Sequence, residues 1–176
     1  MDISTTDVIL CAKCLGIAPN NGTQKPAPCR GNSSAIVRGL SSLSSFTGRG
    51  LSVGGSFGGS VTAIGGGVTT GYFGDPSGNV FRFTSYSLGT AAGVSGSGGF
   101  TFGVSNLGAG GFSGLSGEGT LSAGFGLSAS MTISHNSSGS GVSYTFGAGA
   151  GLSVNGGGSY TTLTPVCLKA GSVFDF

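Results

Sequence analysis

From Leu121 to Ile133 every odd-numbered residue is apolar and every even-numbered one is Ser, Thr or Gly; from Val142 to Val154 the alternation returns with the parities exchanged. A period of two places alternate side chains on opposite faces of an extended strand. The link Ser134–Gly141 contains only polar residues and turn formers, so the two runs predict one long β-hairpin. One face collects Leu121, Phe125, Leu127, Met131, Ile133, Tyr144, Phe146, Leu152 and Val154. The other collects Ser122, Ser128, Ser130, Thr132, Ser143 and Thr145, with no charge among them. At ~3.3 Å per residue each strand reaches roughly 40 Å, more than the 9–11 residues a tilted membrane strand needs. The first set is the expected lipid-facing surface and the second the expected pore lining.

Composition narrows the class. Charged residues are 7% of the 176, against about 25% in ordinary soluble domains. Glycine supplies 39 residues without a Gly-X-Y period, and five prolines are too few for a polyproline linker. Twelve Phe and four Tyr argue against disorder. A formal charge of +2 gives no footprint for nucleic acid, and the absence of Trp weakens any interfacial aromatic girdle.

Two regions differ in character. Residues 1–49 hold most of the basic residues and three of the four cysteines, and form a Cys- and Pro-containing basic leader, expected to be loop-rich. Residues 50–176 form a Gly-rich β domain. The run Val8–Ala12 is too short for a signal-peptide core and follows acids. Release by a non-classical route, or residence in a target-cell membrane, is the expected localisation.

The rest of the second region also reads as strands. Leu51, Val53, Phe57, Val61 and Ala63 share one parity, Val68-Thr69-Thr70-Gly71-Tyr72-Phe73 comes after Gly65-Gly66-Gly67, and Asp75-Pro76-Ser77-Gly78-Asn79 has the residues of a turn. Val80–Val94, with a break at Gly89, and Phe100–Val104 follow, then a turn at Asn106–Gly111. The expectation is an all-β antiparallel meander of seven to ten Gly-rich strands closed as a β-barrel. Glycine and serine would relieve crowding on the concave face.

The cysteines leave three options open. Cys11, Cys14, Cys29 and Cys167 could form a tetrahedral structural zinc site, two disulfides, or remain free thiols; no other cofactor is expected. Catalytic constellations are lacking. His135 is the only histidine, no acid lies within fifteen residues of it, and Asp75 and Glu118 have nothing in the sequence to pair them. The glycine clusters match no phosphate-binding loop. The chain is not expected to be an enzyme.

The stretch Gly65-Gly66-Gly67-Val68-Thr69-Thr70-Gly71-Tyr72-Phe73, with the Asp75–Asn79 turn and the glycine-rich tract after it, resembles the Gly-rich C-terminal modules of Rhs-type and related bacterial polymorphic toxins. The resemblance spans about residues 60–155 and implies an effector delivered by a secretion machine to a target-cell membrane. The cleavage motif that precedes such modules is absent, and the cysteine-containing leader is not part of their pattern. The terminal Val173-Phe174-Asp175-Phe176 resembles the aromatic ending of outer-membrane barrels. The functional expectation is a membrane-inserting β-barrel or pore, with a lipid membrane as partner, homo-oligomerisation and no nucleic acid. One alternative is a structural protein assembling into Gly-rich β filaments or a coat. The other is a soluble β binding module presenting Tyr72, Phe73, Phe81, Phe83 and Tyr86, residues whose ordinary role would be core packing.

Overall fold

The computed structural model describes residues 34–166. Cys11, Cys14, Cys29, Cys167 and the terminal Val173–Phe176 lie outside that span. Helix α1 (Ala35–Thr47) comes first, followed by β1 (Gly50–Val61), β2 (Ala63–Gly74) and β3 (Val80–Ser105). A short helix α2 (Ala109–Phe112) then precedes β4 (Gly114–Asn136) and β5 (Gly139–Val166). The strands form one antiparallel sheet in the order β1-β2-β3-β5-β4.

The architecture is all-β, as expected, but five long strands replace the seven to ten shorter ones. Gly89 is not a break. It pairs in register inside β3 opposite Gly65 of β2, and Gly67 pairs opposite Ser87. Without a side chain a glycine still offers both backbone groups to the ladder, and neighbours on either side hold it extended.

Pairing of β1 with both β2 and β3 shapes the whole sheet. Leu51 lies opposite Gly74 on one side and Val104 on the other, while Gly74 lies opposite Val80. Val80 and Val104 therefore flank the same hairpin, so β3 doubles back around its tip at Thr62. Strand β5 follows β3 without a gap from Val80↔Val166 to Ser105↔Gly141, and β4 follows β5 from Gly114↔Thr161 to Asn136↔Gly139. All three long strands are thus folded over together. Each carries one mid-strand glycine with positive φ: Gly93 (101°), Gly126 (81°) and Gly151 (103°). L-residues with a Cβ avoid that region. By its backbone pairing the sheet is not closed into a barrel, because β4 pairs with β5 alone.

Helix α1 was not expected. Val37 and Leu40 are buried against Val80, with Leu51, Val53, Tyr72 and Val166 packed around them. The helix ends at Gly48 in the left-handed conformation, whose N–H returns to the Ser44 carbonyl. A Cβ on Gly74 would lie 2.7 Å from Ser44 Oγ and 3.1 Å from Leu40 Cγ, so glycine is what allows the helix to sit this close. Ser41 Oγ donates to the Gly78 carbonyl at 2.6 Å, tying the helix to the β2–β3 turn. In that turn the Asp75 carboxylate accepts from Ser77 N, Asn79 N and Asn79 Nδ2.

Candidate functional site

The two faces of the folded sheet are chemically opposite. On β4 the even positions turn inward and the odd ones outward; on β5 the parities are exchanged, so each strand keeps one parity through its bend. The outward set includes Leu121, Phe125, Leu127, Ile133, Tyr144, Phe146, Leu152 and Val154, all exposed, with Phe125 at 98%; Met131 is half-buried on the same face. The inward set includes Ser122, which is buried, and Ser128, Ser130, Thr132, Ser143 and Thr145, which are half-buried. Every residue of the two sequence-derived sets falls on the face its parity assigns.

The remaining strands extend both faces beyond those sets. Phe57, Val68, Leu88, Val94, Phe100, Phe102 and Val104 are exposed on the outside, and Phe102 stacks on Phe146 with ring centroids 6.1 Å apart. Inside, hydroxyls meet one another across the strands. Ser60 Oγ lies 3.1 Å from Ser95 Oγ, which lies 2.7 Å from Ser153 Oγ. Thr101 and Thr145 are linked at 2.7 Å, and Ser116 and Ser159 at 2.8 Å. Among the described residues twenty-two large hydrophobic residues are exposed and six are buried, a larger apolar outer surface than soluble monomers usually leave.

The hydroxyl face lines a half-open cavity of about 170 Å³. Glu118, hydrogen-bonded to Ser159, is the one charged side chain among the described residues that lines it. Ser105 Oγ and Asn155 Oδ1 also line it and have no hydrogen-bond partner among protein atoms. Buried polar atoms are normally paired with protein or water, so this interior is suited to water.

One end of the cavity is closed by aromatics. Phe112 of α2 stacks on Phe73 at 4.0 Å and meets Phe83 edge-on at 5.4 Å. Leu107 is buried beside them. The segment is held at both ends: Asn106 Oδ1 accepts from Ser140 N, and Asn136 Nδ2 donates to the Gly111 carbonyl at 2.6 Å. The five aromatics weighed as a contact surface are therefore divided. Phe73 and Phe83 are buried inside with Phe81 beside Phe73, whereas Tyr86 is exposed and Tyr72 packs beneath α1. They do not make one surface.

Glu118 and His135 both border the cavity, whereas Asp75 is engaged in its own turn away from it, so the three do not form one cluster. No known family, curated protein or solved structure matches this chain. Sequence reasoning found the two faces on β4 and β5 but missed the closing role of Phe112, whose partners Phe73 and Phe83 are distant in the chain. Its only local signal was an isolated Phe among small residues at Ala109-Gly110-Gly111-Phe112.

Proposed function

We propose that the chain is a membrane-inserting β-barrel module, its apolar outer face meeting lipid and its hydroxylated inner face meeting water. The observation that carries this reading is the inverted distribution of side chains along all five strands. In hydrocarbon no backbone group can be left unpaired, so strands cross a bilayer only as a closed ring. The edge left open by backbone pairing supports such closure. Thr120 Oγ1 and Thr132 Oγ1, on opposite halves of β4, lie 2.9 Å apart, and a Cβ on Gly124 would come 2.6 Å from Ser128 Cβ.

The stagger is consistent with a ring. Strands β1 and β2 give one stave each and the folded β3, β4 and β5 two each, eight in all. Followed through backbone pairs, Glu118 leads to Gly157, Gly89, Gly65, Ser60, Ser95 and Gly151, and arrives at Gly124 on the other half of β4. Across the gap the Thr120–Thr132 contact sets Glu118 opposite Ser134, ten residues beyond Gly124. Eight staves with that stagger tilt by about 40°, at roughly 3.3 Å per residue and roughly 4.8 Å between strands. The 12-residue strands β1 and β2 would then stand about 30 Å tall, the thickness of the hydrocarbon core.

The small cavity and its aromatic closure support insertion by a single chain; conduction requires displacement of the Phe112 segment or combination of several chains. The resemblance to polymorphic-toxin modules would make the insertion that of a delivered effector. A second reading, assembly into filaments, draws on the same exposed face and on β4, a 23-residue edge strand with one acid and one histidine. Flotation of purified protein with liposomes, after an alkaline wash that strips peripheral proteins, tests the choice. Insertion predicts protein in the lipid fraction, with dye release on Phe112→Ala. Filaments by electron microscopy, with protein absent from the lipid fraction, would establish the second reading instead.

A further inference from the structure

The outer face differs from end to end. At the end where β1 begins and β2 and β5 finish, α1 covers Leu51, Val53 and Tyr72. Here, too, lie Arg38 and Arg49 on and after the helix, Asp75 in the β2–β3 turn, Arg82 near the start of β3 and His135 beside the β4–β5 turn. Glu118 faces inward. Those six are all the charged or histidine side chains among the described residues. The opposite end, at Thr62 and the three bends, has none. There the outer face is barest: Phe125, Leu127, Phe57, Val61, Ile64 and Leu152 are each at least 65% exposed.

We infer that this module enters a bilayer in one direction, with the bend end leading and the α1 end remaining on the side from which the protein came. The inference rests on the membrane reading and adds its orientation. Leading with the bends takes no ionised group through hydrocarbon, whereas leading with the other end would carry Arg38, Arg49, Asp75 and Arg82 across, each strongly disfavoured there. The backbone raises no obstacle at the leading end, because β3 and β5 stay paired through the fold, Ala91 with Asn155 and Gly93 with Ser153. Helix α1 keeps Ile36, Leu43 and Phe46 exposed on one side, which suits a helix lying in the entry-side interface with an apolar stripe against lipid.

The chain contains no Trp, so a single introduced indole reports one site. The Thr62→Trp and Ser77→Trp variants alter exposed positions at the two ends, and Phe125→Trp and Phe46→Trp serve as a conservative second pair. Each full-length variant is added to sealed phosphatidylcholine–phosphatidylglycerol liposomes and titrated with a dextran-coupled nitroxide quencher too large for the cavity. External quencher should reduce emission of Ser77→Trp several-fold and leave Thr62→Trp and Phe125→Trp unchanged, with Phe46→Trp, against interfacial lipid, quenched less than Ser77→Trp; trapped quencher should quench Thr62→Trp and leave Ser77→Trp and Phe46→Trp unchanged. Equal quenching of both ends from each side, or quenching of Thr62→Trp from outside alone, would overturn the orientation while leaving insertion standing. Variants that never float with the liposomes would overturn the membrane reading itself.

Discussion

At the scale of single residues, position on one face or the other decides what a substitution does. Phe146 is half exposed at the middle of the apolar face, stacked on Phe102. An arginine in its place would meet lipid at a cost of about 2–4 kcal/mol at mid-membrane. Phe146→Arg should therefore weaken liposome partitioning by roughly 30-fold or more, measured by flotation. Ser130→Asp, on the hydroxyl face, should leave partitioning within a few-fold of the parent. Glycines separate in the same way. A Cβ on Gly93 would run into the Leu152 carbonyl, and its φ of 101° is strained for any L side chain, whereas Gly96 has open space and an ordinary φ. Gly93→Ala should cost at least 1–2 kcal/mol of folding free energy, and Gly96→Ala should be neutral. Urea midpoints in the same detergent distinguish the two.

Between elements, stability is concentrated at the α1 end. The six buried hydrophobics among the described residues (Val37, Leu40, Phe73, Val80, Phe83 and Leu107) lie there. Phe112→Ala removes a ring that stacks on Phe73 and abuts Phe83, and should destabilise by about 3 kcal/mol; chemical denaturation of the variant checks that value. Leu40→Ala should cost about 2–5 kcal/mol and release α1, read as faster amide exchange over 35–47 with protection of β3 and β5 retained. The elements also differ in how plainly the sequence announces them. The β4–β5 hairpin was legible because its alternation is unbroken and its link polar; only the turn is tighter than expected, at Ser137–Ser138. Helix α1 was hidden because Ser41-Ser42 and Ser44-Ser45 read as loop, and its helical state rests on docking Val37 and Leu40 against Val80. The break expected at Gly89 was misplaced because nothing local distinguishes Gly89, which pairs, from Gly93, which turns.

Across the whole molecule, the folding over of three long strands produces what no one strand could specify. Alternation in β4 and β5 foretold two faces, but which face would be interior depends on the β1–β2 hairpin pairing with both halves of β3. Once β3 doubles back, small hydroxyl side chains fit the crowded inside and aromatic and branched ones are left outside. The candidate surface was therefore legible residue by residue, whereas the enclosure and its aromatic stopper arise from pairs such as Phe73 and Phe112, far apart in the chain. If the eight staves close, the folded state in detergent should resist unfolding in cold sodium dodecyl sulfate and migrate differently after boiling. Identical migration before and after boiling would count against a closed ring.

The claim that the apolar face meets lipid is tested most directly with Phe146→Trp as the sole indole, inserted into liposomes whose lipids are brominated at mid-chain. Contact with lipid predicts strong quenching by the brominated lipid and almost none by aqueous iodide. Emission that iodide quenches and bromine leaves untouched would contradict it.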